Sequence, residues 1–246
     1  MRPAYSTIRH QPYSGPIIRS LIYHLWPSNY TDQWLWNLDQ LTQRYDIFNG
    51  RKIIGVATDH NSATLADVKQ YLKDYDFEYF EVANKPKLGE LTTFNRMLDM
   101  VKSHDQNEIV FYAHAKGTSC KSEDGKTVSG GTLPVVRTWT SAMYEHCLDN
   151  PSQVEDALKD HMFAGTFRRS DRHRWHYSGT FFWFRSVYLY QGDYQVRMRQ
   201  RYAVEMWPQT LCQKDDSVCL FGDNAGQLYD QEQLESSMNP AQQGLA

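Results

Sequence analysis

Arg51-Lys52-Ile53-Ile54-Gly55-Val56-Ala57, running into Thr58-Asp59-His60-Asn61-Ser62, is the stretch on which the fold turns. A short apolar run without polar alternation is a strand buried on both faces, as in parallel sheets, and ligands of such sheets gather beyond the carboxyl ends of the strands. Downstream, Leu65, Val68, Tyr71 and Leu72 recur at helical spacing. A third strand follows over 77–82 and ends at Asn84-Lys85-Pro86-Lys87-Leu88-Gly89-Glu90, after which Phe94, Met97, Leu98 and Val101 mark another helix and 108–112 a fourth strand. Upstream, residues 17–25 form a strand stopping at Trp26-Pro27-Ser28-Asn29, and Trp34, Leu35, Leu38, Leu41 and Tyr45 mark a helix behind a Thr or Asp cap, closed by Gly50. Strands alternating with helices predict an α/β fold with a mainly parallel central sheet flanked by helices.

The chain has 246 residues, enough for one large domain, placed at 17–226 between an N-terminal extension (1–16) and a polar, flexible C-terminal tail (227–246). Helices are expected over 135–148, 154–158 and 187–200, and short strands over 162–167 and 179–184. With 26 basic and 29 acidic residues the net charge is −3, which supplies no global field for nucleic acid or an anionic membrane. Cys120, Cys147, Cys212 and Cys219 have no close CxxC spacing and read as reduced thiols. No leader-like or membrane-length apolar run occurs, so a cytoplasmic protein without a transmembrane segment is expected. The Gly-x-Gly-x-x-Gly fingerprint is missing after the first strand, and no Gly-Lys-Ser/Thr loop occurs, which removes dehydrogenase and P-loop readings.

Two motifs carry chemistry. Phe111-Tyr112-Ala113-His114-Ala115-Lys116-Gly117 runs from a strand into two side chains read as cationic, and His176-Tyr177-Ser178-Gly179-Thr180-Phe181-Phe182-Trp183 brings imidazole, phenol, hydroxyl and indole into one short block. The second is not Gly-x-Ser-x-Gly, so no nucleophile elbow is present. Between them, residues 118–134 form a polar, glycine-rich stretch read either as a lid or as a surface insertion. Arg168, Arg169, Arg172 and Arg174 beside His173 are either a contact for a phosphorylated acceptor or a solvated loop.

His114-Ala115-Lys116-Gly117, the His176–Trp183 block and Arg201-Tyr202-Ala203-Val204-Glu205-Met206-Trp207 together resemble the GT-A glycosyltransferases, Rossmann-related enzymes, and in particular a bacterial and viral group with His-Thr/Ala-Lys-Gly, His-Tyr-Ser-Gly-Asn-Phe-Trp-Trp and Arg-Tyr-x-x-Glu-x-Trp. The likeness covers about residues 17–210, with Thr180 and Phe182 in place of the group's Asn and Trp. It implies a nucleotide-diphosphate sugar donor (UDP-, GDP- or dTDP-linked), a glycan or polysaccharide acceptor and a hexosyl- or deoxyhexosyl-transferase activity with inversion. On this reading Asp59, Asn84, Lys85, His114, Lys116 and Gly117 bind donor, and His176, Tyr177, Ser178, Gly179 and Trp183 contact sugar or acceptor. Asp59 is alternatively a helix cap, His114 a satisfied buried imidazole, and Lys116 a solvated turn residue.

Most GT-A enzymes carry Asp-x-Asp after the fourth strand to hold Mn²⁺ or Mg²⁺. Here His114-x-Lys116 stands in that place, so cations could neutralise the departing diphosphate without a metal. Asp215, Asp216 and Asp223 are the late carboxylates that could still ligate one. Glu205 is read as the base that deprotonates the acceptor, its pKa raised by partial burial, or alternatively as an ion-pair partner of Arg201 on one helical face. A non-catalytic glycan- or nucleotide-sugar-binding module and a metal-dependent hydrolase are the competing functions.

Overall fold

A computed structural model describes residues 12–122, 125, 131–171, 174–228, 230, 232 and 234. Strand β1 (Ile18–Leu25) is buried from Ser20 onward, as expected for a central strand covered on both sides. It pairs in parallel with β2 (Lys52–Thr58) on one side and with β4 (Glu108–His114) on the other, and β2 pairs in parallel with β3 (Glu78–Ala83). Beyond β4 lie β8 (Phe182–Arg185), β5 (Phe163–Thr166) and β9 (Ser217–Phe221), giving the order β3-β2-β1-β4-β8-β5-β9. Strand β8 runs antiparallel to both neighbours, whereas β5 and β9 are parallel. The fold is thus α/β and Rossmann-related, with a mostly parallel seven-stranded sheet.

Alternation along the strands divides the core into two layers. Tyr23, Phe111 and Trp183 point to one face, where α1 (Gln33–Thr42), α2 (Leu65–Tyr71), α4 (Leu133–Leu148) and α5 (Pro151–Asp160) supply Leu38, Val68, Met143 and Leu158. Ile22, Tyr112 and Phe182 point to the other, covered by Phe94, Met97 and Leu98 of α3 (Leu91–Met100), with Leu189 of α6 (Ser186–Leu189) and Leu211 of α7 (Pro208–Leu211). Gly55 permits the close approach of α3: a Cβ there would meet Phe80 Cζ and Thr93 Cβ, each at 2.8 Å.

Several expectations are corrected. The helix over 187–200 is a four-residue turn of helix, α6, followed by irregular chain. Side chains take the backbone bonds that a helix would use: Asn95 pairs with both N–H and C=O of Val196, and the Trp207 indole donates to the Tyr194 carbonyl. The hairpin of β6 (Arg168–Ser170) and β7 (Trp175–Tyr177) and strand β9 have no counterpart in the sequence reading. Helix α2 is capped by Thr64 and Asp67 in a reciprocal box, so Asp59 is not its cap. From the polar tail, Leu228 and Leu234 are buried against the first layer. Residues 123–124 and 126–130 of the glycine-rich stretch, Arg172, His173, residues 1–11 of the N-terminal extension and most of the tail after Leu228 lie outside the described residues.

All four cysteines are free thiols. Among the described residues no helix is long and apolar enough to cross a membrane.

Candidate active site

The carboxyl edge of the parallel strands opens into a cleft lined by residues from the segments that follow β1, β3 and β4 and from two later ones, including Trp26, Asn84, Glu90, His114, Lys116, Thr180, Arg201 and Glu205. Because β8 runs antiparallel, the chain entering it, Gly179-Thr180, is delivered to that same edge: Tyr112 near the end of β4 faces Phe182 at the start of β8.

The turn after β4 is held from below by α1. Asn37 Oδ1 accepts the Lys116 N–H at 3.3 Å, and the Lys116 carbonyl accepts from Gln33 Nε2 and Asn37 Nδ2, both at 2.9 Å. Gln33 and Asn37 are buried, one turn apart on the inner face of α1, and this task is their reason for being there. Gly117 has φ +88°, which glycine adopts without cost, and a Cβ would press on Val136 and Gln33. The Lys116 ammonium lies 4.1 Å from the centroid of the Trp139 ring.

His114 is not the cation the sequence suggested. Burial first, and then the Lys116 charge, push its pKa well below the ordinary value, so the ring is neutral. Its Nε2 stands 3.1 Å from the Gly179 carbonyl, which can only accept, so Nε2 carries the proton. On β1, His24 is the cross-strand partner of His114; its Nδ1 meets Thr93 Oγ1 at 2.7 Å, and burial lowers its pKa to about 3.

Glu90 is the residue that sequence reasoning missed. As the residue before α3 it could have been an ordinary helix-terminal acid, but its side chain makes no cap bond and turns into the cleft. Tyr112 donates to Oε2 at 3.0 Å and Thr180 to Oε1 at 3.2 Å, while His114 Nε2 is 3.5 Å from Oε1. Burial, aided by the Glu205 charge, raises its pKa to about 7 against the opposing pull of Lys116 and the two hydroxyls. No spacing rule gives this; it depends on three segments distant in sequence.

The aromatic block divides sharply. Tyr177 is core, its hydroxyl donating to the Val218 carbonyl at 2.7 Å. Trp183 is core as well, donating to the Cys147 carbonyl at 2.8 Å and packing against Phe48 and Phe111. Neither lines the cleft, so the sugar contacts expected of them are withdrawn. Ser178 and His176 hydrogen-bond to each other at 3.2 Å outside the cleft wall. Gly179 (φ +91°) and Thr180 (φ +62°) form the turn that reaches the site, and the Gly179 N–H donates to Glu205 Oε1 at 2.9 Å.

The ion pair of Glu205 with Arg201, the alternative to the base role, does not form, because 201–206 are turns and not a helix; Arg201 donates to the Pro86 carbonyl at 3.2 Å, tying the segment after β3 to the cleft. Asn84 lines the cleft and is held by Asp59, whose Oδ2 accepts from Asn84 Nδ2 at 2.7 Å and whose Oδ1 accepts the Asn61 N–H at 2.9 Å. Asp59 thus acts behind Asn84, and Lys85 is exposed outside the lining.

The late aspartates serve elsewhere. Asp216 accepts the Gln213 N–H at 3.2 Å, Asp223 holds Arg168 through two bonds at 3.1 and 2.9 Å, and neither they nor Asp215 line the cleft. Arg169 donates to the Ala225 carbonyl at 3.2 Å and also to that of Gly226, so Arg168 and Arg169 of the basic cluster fasten the chain after β9. Among the described residues no group of three or more His, Cys, Asp or Glu is arranged to hold a metal ion.

No family model matches the chain, and no curated protein matches it. Among solved structures the chain is similar to a 4-diphosphocytidyl-2C-methyl-D-erythritol synthase at 10% identity, over 83% of this chain and 88% of that one, with a TM-score of 0.42.

Proposed function

We propose that the protein is a glycosyltransferase that moves a sugar from a nucleoside-diphosphate donor to a hydroxyl of a glycan acceptor, with inversion at the anomeric carbon. The observation that carries this reading is convergence: His114 and Lys116 of the first motif, Thr180 of the second, and Arg201 and Glu205 of the third line one cleft. His114 and Gly179 are hydrogen-bonded to each other at 3.1 Å. Three motifs scattered over the sequence gain a common purpose only if one ligand touches them all.

The chemistry fits the assignment. Lys116 and Arg201 offer positive charge where a diphosphate would bind at the carboxyl edge, and stabilising charge on the leaving group is the largest task in such a transfer. Asn84, fixed by Asp59, supplies an amide for a ribose or phosphate oxygen. Glu90 and Glu205 line the same cleft, which gives it a carboxyl group to take the proton of an acceptor hydroxyl.

The test is a thermal-shift panel of UDP-, GDP-, CMP- and dTDP-linked sugars with Mn²⁺ or with EDTA, since a ligand that binds only the folded state raises stability. One nucleotide class is expected to raise the melting temperature, and Lys116→Ala to abolish the rise. A rise that survives EDTA assigns the charge neutralisation to Lys116 and Arg201; a rise that needs Mn²⁺ brings a metal into the donor complex. Binding without nucleotide release would make the protein a nucleotide-sugar-binding module, and no shift with any donor would overturn the reading.

A further inference from the structure

Inverting transfer needs a group that takes the proton from the acceptor hydroxyl as it attacks. Two carboxylates share the cleft, joined through one turn: Gly179 N–H bonds to Glu205 and the neighbouring Thr180 hydroxyl to Glu90. We infer that Glu90 is the proton acceptor and that Glu205 is a positioning residue, acting through the Gly179–Thr180 turn; the inference rests on the transferase reading above.

The donor sets separate the two. Glu205 Oε1 accepts a backbone amide, a partner that can only donate. Among the described residues the hydrogen bonds that Glu90 accepts come from hydroxyls, Tyr112 at 3.0 Å and Thr180 at 3.2 Å. A hydroxyl rotates, so either partner can turn from donating to accepting once the carboxyl holds a proton. Glu90 is therefore satisfied in both protonation states, as a group that gains and releases a proton each turnover must be. Its proton affinity, held up to about 7 by burial and the Glu205 charge, suits the task near neutrality.

The other groups facing Glu90 do not take over the role. Lys116 has no lone pair while charged, His24 and His114 are held neutral by burial, and the His114 Nε2 proton points to the Gly179 carbonyl. Arg201 is engaged with the Pro86 carbonyl. In the step, the acceptor oxygen forms its bond to the anomeric carbon and the bond from that carbon to the diphosphate oxygen breaks. The electron pair leaves with the nucleoside diphosphate. The acceptor proton moves to Glu90 and passes to water after the products depart.

The experiment measures nucleotide release from the donor sugar that stabilises the protein, with water as acceptor and then with azide, an anionic nucleophile that has no proton to lose. Glu90→Gln is expected to slow release to water by about 10²-fold or more while azide-supported release stays within about threefold of the parent. The parent rate with water should rise with pH through about 7 and the variant should lack that rise. Glu205→Gln should weaken both nucleophiles alike and keep the rise, moved to lower pH by loss of the Glu205 charge. Melting curves and binding of the free nucleoside diphosphate check that Glu90→Gln is folded; should it not be, Glu90→Asp, which keeps a displaced carboxylate, is expected to retain the pH rise at reduced rate. Equal loss with water and azide, or no loss with either, overturns the assignment of Glu90 alone. Absence of nucleotide release by the parent protein with every donor overturns the transferase reading, and Glu90 with it.

Discussion

Thr180 is the residue at which local conformation and chemistry conflict. It is β-branched, sits at φ +62° and is almost completely buried, a combination that costs on the order of 1–3 kcal/mol. What holds it there is the clamp around it: the Gly179 amide on Glu205, the Gly179 carbonyl beside His114, and the Thr180 hydroxyl on Glu90. Asparagine tolerates the left-handed region far better and carries a side-chain amide that can donate to the same carboxylate. Thr180→Asn is therefore expected to stabilise the protein by about 1 kcal/mol in denaturant unfolding, and unchanged or lower stability would show that the clamp relieves no strain. The preceding Gly179 has no such latitude. A Cβ there would lie 2.6 Å from Met143 Sδ at φ +91°, so Gly179→Ala should cost about 2–4 kcal/mol. Sequence reading assigned Ser178 and Gly179 a sugar contact, since a glycine within a strand-like block is legible as a close approach; in the structure the Gly179 amide meets Glu205 and the Ser178 hydroxyl meets His176. That reading could not separate Tyr177 and Trp183 from the site, since an aromatic residue is equally at home in a core or on a ligand, and only the sheet neighbours decide.

At the scale of elements, the site turn is a composite of β4 and α1. The strand and the helix were both readable from apolar spacing, yet the bonds that hold Lys116 in place come from Gln33 and Asn37, polar residues on the helix's buried face that an apolar count passes over. Asn37 makes two of those bonds and is fully buried, so Asn37→Ala leaves the Lys116 amide without its partner and one donor fewer on the carbonyl. A loss of about 1–3 kcal/mol is expected from the unsatisfied groups, together with a weaker thermal shift by the stabilising nucleotide sugar than the parent shows. Retained stability with a retained shift would mean that the turn stands without α1. The expected helix over 187–200 failed for the complementary reason. Its residues have helical spacing, but Asn95 and Trp207 offer their backbone groups better-placed partners than the next turn would.

At the scale of the whole molecule, the parallel half of the sheet was legible because each βαβ unit writes its pattern locally, whereas β9 and the place of β8 in the sheet depend on pairings between distant segments. The same convergence brings a buried histidine and a half-buried carboxyl group of opposite tendency under one roof, and stability should record it. His24 has its pKa lowered from 6.5 to about 3 by burial, so the fold prefers the neutral ring. That contribution is complete above about 6.5 and is lost as pH falls toward 3. Glu90 has its pKa raised from 4.5 to about 7, so the fold prefers the protonated acid; its contribution is complete below about 4.5 and is lost as pH rises through 7. The two slopes oppose each other, and single substitutions should expose them one at a time. In urea unfolding across this range, Glu90→Gln should remove the decline on the neutral side, gaining up to about 3 kcal/mol on the parent between acid and neutral pH. His24→Gln should flatten the loss on the acid side. A Glu90→Gln curve that runs parallel to the parent at every pH would mean that Glu90 is already ionised in the acid range. The near-neutral proton affinity behind its assigned role would then be gone, whatever the kinetics of transfer showed.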